Sequence, residues 1–202
     1  AGNRAEHQLQ LTLERGLVDL DAQLTGQLTD ERWEGRLGRS QIASEELVWD
    51  LSQPALISYR FEPGQLRLSE HCWAHAGSSS RLCFSGEQRL MPDRQLRLSL
   101  NDFPLESLQH LLPEDFSWDA TLNAEVDFRQ AVGAQPLAQV QVSSRDGAIT
   151  VASPEQTLRF PYDRLELNTV LEANQARSQF LLSSEDIGRL DIQANIDDPG
   201  GQ

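Results

Sequence analysis

Apolar and polar residues alternate with a period of two along most of this chain. In WDATLNAEVDF the beat never breaks: Trp118, Ala120, Leu122, Ala124, Val126 and Phe128 share one side. Such a run predicts one half-buried strand, and at ~3.3 Å per residue it would be about 36 Å long, roughly twice the usual length. The same beat appears in Leu9, Leu11 and Leu13, and in Val18, Leu20, Ala22, Leu24, Gly26 and Leu28. It continues through Trp33–Leu37, Leu47–Leu51, Ala55–Phe61, Leu66 and Leu68, and Leu96–Leu100. Past Phe128 it returns in Ala138, Val140 and Val142, in Leu158, Phe160 and Tyr162, and in Leu165 and Leu167. Phe180 and Leu182, then Leu190, Ile192, Ala194 and Ile196, complete the series. Positions between them are mostly Arg, Glu, Asp, Gln, Ser or Thr, so the pattern predicts a mostly antiparallel sheet with one wet and one dry face.

Turn chemistry separates the runs. Glu62-Pro63-Gly64, the Gly77–Ser80 stretch, Arg145-Asp146-Gly147 and Ser153-Pro154-Glu155 all favour reversals. One segment, NDFPLESLQHLLP, has a different period: Pro104 suits a first helical turn, Glu106 suits its positive end, and Leu105, Leu108 and Leu112 form a stripe that Pro113 stops. A single short helix near 103–112 is expected, too small to cover the dry face. The strand runs have no fixed spacing of the kind that marks a standard solenoid, so the reading is one long, serially hairpinned sheet. Two arrangements would satisfy its dry face. It can fold back as a sandwich with ~10 Å between sheets, or it can curl into an open apolar trough that demands an apolar ligand or partner. Periodicity does not separate these.

Composition narrows the partners. Of 202 residues 39% are hydrophobic and only 6% aromatic, which leaves little bulk for a thick core. The net charge is -14 and the basic residues are all Arg, so nucleic acid and a bare anionic membrane surface are poor partners. No stretch approaches the ~20 apolar residues of a bilayer span. The chain begins at Ala1 and ends in DDPGGQ, and the expectation is a single β-rich piece, 1–202, of a longer repetitive sheet protein.

Both cysteines, Cys72 and Cys83, lie in EHCWAHAGSSSRLCF, two strand-like stretches around a Gly/Ser loop. A hairpin there suits a disulfide. The rivals are free thiols, or a metal site with His71 and His75, although adjacent His71 and Cys72 would face opposite ways on a strand. Enzyme signals are absent: there is no G-x-S-x-G, H-E-x-x-H, phosphate-cradling glycine loop or C-x-x-C. His7 and His110 read as solvated surface residues. The acid pairs Glu45-Glu46, Glu185-Asp186 and Asp197-Asp198 read as solvated turns, with Ca2+ binding or acid–base work as the alternative. Trp33, Trp49, Trp73 and Trp118 could line a sugar groove, but on a dry strand face they read as core. Neither catalysis, a cofactor nor a bound metal is expected.

In order, ERWEGRLGRS, WDLSQPALISY, the HCW to LCF pair, FPLESLQHLLP, WDATLNAEVDF and IGRLDIQANIDDP together resemble the TamB family, the inner-membrane-anchored component of the bacterial translocation and assembly module, with kinship to AsmA-like bridge proteins. The match runs from about Leu17 to Pro199 and is placed in the middle to C-terminal part of the family. The resemblance implies a periplasmic protein anchored to the inner membrane by a segment outside this sequence and bridging toward a TamA-like outer-membrane barrel. It implies a long curved sheet, the β-taco, whose concave side is an apolar groove, and so selects the trough. Family roles are assembly of autotransporters and other outer-membrane proteins, and carriage of phospholipid between the membranes. Under a lipid conduit, the groove residues expected are Leu20, Leu24, Leu122, Val126, Leu165, Leu167, Leu190 and Ile192. Burying each acyl CH2 is worth ~0.8 kcal/mol, enough over a chain to hold lipid. The competing reading is a scaffold that holds unfolded outer-membrane strands by strand addition. A structural spacer closed on itself is the third.

Overall fold

The computed structural model of this chain describes residues 6–14, 18–44 and 47–197. The Glu45-Glu46 pair and the terminal stretch from Asp198, which includes one member of the Asp197-Asp198 pair, lie outside the described residues. The chain is mainly β. Its strands are β1 (His7–Leu13), β2 (Asp19–Leu28), β3 (Arg32–Ala43), β4 (Val48–Leu51), β5 (Ala55–Arg60), β6 (Gln65–Leu68), β7 (His71–His75), β8 (Arg81–Phe84), β9 (Gln88–Met91) and β10 (Arg94–Pro104). After a 3-10 helix (Leu105–Leu111) come β11 (Phe116–Gln130), β12 (Leu137–Ala152), β13 (Thr157–Glu172), β14 (Gln175–Ser184) and β15 (Gly188–Asp197). All belong to one 15-stranded antiparallel sheet.

The non-sequential pairings in that sheet conceal a simple order. Residues 48–51 and 55–60 pair with successive halves of β3, Trp49 opposite Ile42 and then Ile57 opposite Gly35, so β4 and β5 are two halves of one broken strand. In the same way β6 and β7 pair with β5 and β4, and β9 and β8 pair with β6 and β7. Taken as halves, every long strand lies beside the next in sequence. This is the serial hairpin arrangement that the alternation predicts.

Two compact units divide the chain: Ala1–Ser99 with Phe128–Ala134, and Leu100–Asp127 with Gln135–Gln202. In the first unit the breaks in the three split strands fall at one level, and side chains supply the missing backbone partners. Ser69 Oγ accepts from the Leu56 N–H at 2.8 Å, Glu70 Oε2 accepts from the Gly86 N–H at 3.0 Å, and the fully buried Gln88 amide donates to Ser85 O and Gly86 O while its oxygen accepts from the Arg97 N–H at 2.7 Å. Cys72 and Cys83 sit directly opposite each other in β7 and β8 and form a disulfide. Their neighbours His71, Trp73 and His75 point to the other side and are buried. His71 stacks on Phe84 with its Nδ1 2.9 Å from Ser69 O, and His75 Nδ1 lies 2.9 Å from Ser78 Oγ, so both are hydrogen-bonded core residues. Among the described residues no group of three or more His, Cys, Asp or Glu is placed to hold a metal. His7, read as a solvated residue, is half-buried instead: its Nε2 accepts from Trp33 Nε1 at 2.7 Å, and the indole lies over Gly26 and Gly35, where a side chain would collide with it.

The second unit holds the longest hairpins. Asp102 ends the straight part of β10 with φ 53°, its N–H donated to Asn123 Oδ1 at 3.0 Å. The helix that follows is shorter and tighter than an α-helix. Leu105 is buried, Glu106 lies in its first turn, and Pro104 precedes it as the last residue of β10 rather than entering a first turn. The expected reversal at Arg145-Asp146-Gly147 is not one. β12 runs straight through it, with Arg145 opposite Arg164 and Gly147 opposite Tyr162. Asp146 takes φ 52° there, a left-handed conformation that Asp tolerates better than most residues. The reversals at Glu62–Gly64, Gly77–Ser80 and Ser153–Glu155 fall between strands as expected.

Candidate functional site

The dry face of the second unit is built by cross-strand register. Val142, Leu167, Phe180 and Ile192 stand directly opposite one another across β12, β13, β14 and β15. The next row is Ser144, Leu165, Leu182 and Leu190, and a further one is Ala138, Leu171, Ala176 and Ile196. Residues between them form mostly polar rows on the other face: Gln141, Asn168, Gln179 and Gln193 make one, while Leu181 and Val170 each interrupt a neighbouring row. Apolar neighbours in such rows reinforce one another, and a one-residue slip would invert both faces at once.

Burial along these rows falls toward the edge. Leu165 on β13 is 5% exposed, Leu167 and Phe180 are half-buried, and on β15 Leu190 and Ile192 are 47% and 49% exposed. Among the described residues β15 pairs with β14 alone, and its far edge carries no partner strand. In the first unit the dry face opens in the same way at β1: Leu9, Leu11 and Leu13 are exposed, opposite Leu24, Ala22 and Leu20. A sandwich would bury these side chains, and among the described residues no second sheet covers them at β1 or β15.

Of the residues expected from the sequence, Leu165, Leu167, Leu190 and Ile192 share adjacent rows on one face. Leu122 and Val126 lie on β11 in the same unit, half-buried, on the side of Trp118. Leu20 and Leu24 lie on β2 in the first unit, opposite Ile42 and Leu37, both half-buried.

Alternation alone missed the polar cluster set into this face. Tyr162 is 4% exposed and Ser144 1% exposed. Trp118 Nε1 donates to the Tyr162 hydroxyl at 2.9 Å, and that hydroxyl shares a hydrogen bond of 2.8 Å with Ser144 Oγ. Gly147 lies opposite Tyr162, and a methyl there would overlap the phenol and come within 2.9 Å of the Ala120 Cβ. The sequence does hold a signal for the cluster. Apolar positions on β12 are even up to Val142 and odd from Ile149, and on β13 even up to Tyr162 and odd from Leu165, so both strands change phase at the same level. The Ser144–Tyr162 contact shows that the two phases meet on one face.

One family model, described as the N-terminal domain of TamB, matches residues 1–202, the entire sequence. The chain belongs to the TamB family. Membership places it among envelope bridge and assembly proteins, a family not known for enzymes. The matched TamB domain also corrects the expected position: the model is the family's N-terminal domain, not a middle to C-terminal part. Strand motifs that repeat one amphipathic pattern identify such a protein well but locate a segment within it poorly. No solved structure matches the chain. Among the described residues no helix is long and apolar enough to cross a membrane.

Proposed function

We propose that this chain is a non-enzymatic segment of a periplasmic bridge, anchored to the inner membrane in the full-length protein, whose dry face carries phospholipid between the inner and outer membranes. The observation that carries this reading is the pair of adjacent, mainly apolar rows through Leu165 and Leu167, which end exposed on β15, with Ile192 49% exposed beside half-buried Phe180 and Leu167; the next row on that face is interrupted by the hydrogen-bonded Thr169 and Ser178. Acyl chains lying across those rows would lose contact with water while headgroups stay wet, and binding would need no catalytic group. Leu20, Leu24, Leu122, Val126, Leu165, Leu167, Leu190 and Ile192 are the contact residues of this reading.

The test compares two charges on one strand. Leu167→Arg in the full-length protein places a charge on the dry face and should abolish its function in envelope assembly, whereas Glu166→Arg on the wet face should leave it intact. Equal loss or equal retention would count against the conduit. A second reading rests on the outer edge of β15, unpaired among the described residues: an unfolded outer-membrane segment, delivered toward a TamA-like barrel, could add as a further strand. Proline at alternate β15 positions whose N–H faces away from β14 would block that mode and spare a lipid track.

A further inference from the structure

The β2–β3 and β5–β6 turns of the first unit lie side by side, joined by a hydrogen bond of 3.1 Å from the Phe61 N–H to Glu31 O. Residues from both turns line an open cavity of about 540 Å3: Asp30, Glu31, Arg32, Arg60, Phe61 and Glu62. Its two cations stand directly opposite each other on β3 and β5, an arrangement of like charges that works against strand pairing. Arg32 is balanced from outside the cavity by Glu34 at 3.2 Å. Among the described residues Arg60, Asp30, Glu31 and Glu62 are in no ion pair. Both signs of charge therefore border one space without closing on each other.

Phe61 links this space to the dry face. It is 40% exposed, and its ring meets that of Tyr59 edge-on with 5.6 Å between centroids. Tyr59 stands opposite Trp33 and Leu66, and Trp33 opposite Leu28, which is 39% exposed. Arg32 and Arg60 precede and follow Trp33 and Tyr59 by one residue, so they point to the wet face. At the ends of these strands the two faces meet. A molecule with its apolar part along the Leu28–Trp33–Tyr59 row would carry its polar end round into the cavity.

The charges set which polar end fits. Arginine holds phosphate oxygens through paired N–H donors, and carboxylates accept from an ammonium group. A phosphodiester with an ammonium group two carbons away supplies both. A phosphoglycerol headgroup satisfies the arginines but brings only negative charge to three carboxylates. We propose that this cavity is a headgroup site for a zwitterionic, phosphoethanolamine-bearing phospholipid, with its phosphate on Arg32 and Arg60 and its ammonium on Asp30, Glu31 and Glu62. The inference rests on the conduit reading and goes further by naming the lipid class. Exposed ion pairs are individually weak, so the preference over a phosphoglycerol lipid is about three- to tenfold.

The experiment uses the full-length protein reconstituted in vesicles holding equal amounts of phosphatidylethanolamine and phosphatidylglycerol with matched acyl chains. A photo-crosslinking amino acid is placed at Leu28 or, for reference, at Leu167, and adducts of each lipid are counted by mass spectrometry. The expected result is an excess of phosphatidylethanolamine adducts at Leu28, about three- to tenfold, and equal capture at Leu167. In the Asp30→Asn/Glu31→Gln/Glu62→Gln variant the excess should disappear while lipid adducts persist. In the Arg32→Gln/Arg60→Gln variant both lipids should be captured less at Leu28 and unchanged at Leu167. Four results would overturn the headgroup site and leave the conduit standing: equal capture of both lipids at Leu28 by the unaltered protein, the same excess at Leu167, an excess that survives the carboxylate substitutions, or lipid adducts at Leu167 alone. No lipid adduct at either position would overturn both.

Discussion

Gly147 and Tyr162 show how a single position decides the quality of the dry face. The phenol folds over the glycine opposite it, as an aromatic side chain often does across a strand pair, and its hydroxyl is thereby held against Ser144. Gly147→Ala would force the phenol or Ala120 aside, and overpacking of this kind costs about 1–3 kcal/mol. The urea midpoint should fall accordingly, and an unchanged midpoint would show the phenol moves freely. Ala173 makes the opposite case. It occupies the tight β13–β14 turn at φ 48°, where a Cβ is unfavourable by about 1–2 kcal/mol, partly offset by the extra chain entropy of glycine in the unfolded state. Ala173→Gly should therefore raise stability by up to about 1 kcal/mol in the same measurement, and a loss would contradict that assignment of strain. Neither residue was legible beforehand. An Asn at position 174 hints at a turn, but nothing in the alternation says which residue takes the positive φ.

Elements were far more legible than residues, and the exceptions share a cause. The long strand through Trp118–Phe128 and the hairpins after it follow from a beat of two, because half-buried strands leave that mark. A phase change breaks the inference. In β10 the apolar positions run Leu96, Leu98, Leu100 and then Phe103, with Asp102 at φ 53° between them, and β12 does the same around Asp146. A left-handed residue thus marks the change on β10 and on β12, while β13 changes phase beside Asp146 with no such residue and with the β12–β13 register unbroken. From sequence, Asp beside Gly looks like a reversal; in the structure it is a strand that continues. In β3 the change from Leu37 to Ile42 falls at a register irregularity against β2, with Ser40 buried and its Oγ donating to Asp21 O at 3.0 Å. The split strands are a further case, since short runs such as Leu66–Leu68 and His71–His75 are halves of one path joined by Ser69 and Glu70. The disulfide spans β7 and β8 on the wet face beside those breaks, closing a loop with a sequence separation of 11. In the chain-entropy model that is worth about 3 kcal/mol. Reduction should speed amide exchange in β7 and β8 by about a hundredfold, and unchanged protection there would show that the side-chain bridges of Ser69, Glu70 and Gln88 suffice alone.

For the molecule as a whole, the property that matters is the contrast between the two faces of the sheet within each unit, and the exposure of the apolar face at β1 in one and β15 in the other. Net charge of -14 spreads over the polar positions, while the apolar positions form rows that end exposed on β1 and β15. The two-faced sheet was legible because strand geometry sends neighbours to opposite sides. That apolar side chains on β1 and β15 are exposed was not legible, because Leu and Ile alternate identically whether another sheet or a ligand lies above them. Under the proposed lipid conduit the dry face, and only the dry face, meets lipid. A photo-crosslinking amino acid placed in turn at Leu165, Glu166, Leu167 and Asn168 of the full-length protein in cells, with adducts identified by mass spectrometry, tests this most directly. Phospholipid adducts are expected at Leu165 and Leu167 and none at Glu166 and Asn168. Lipid adducts at all four positions, or only outer-membrane protein segments at Leu167, would contradict it.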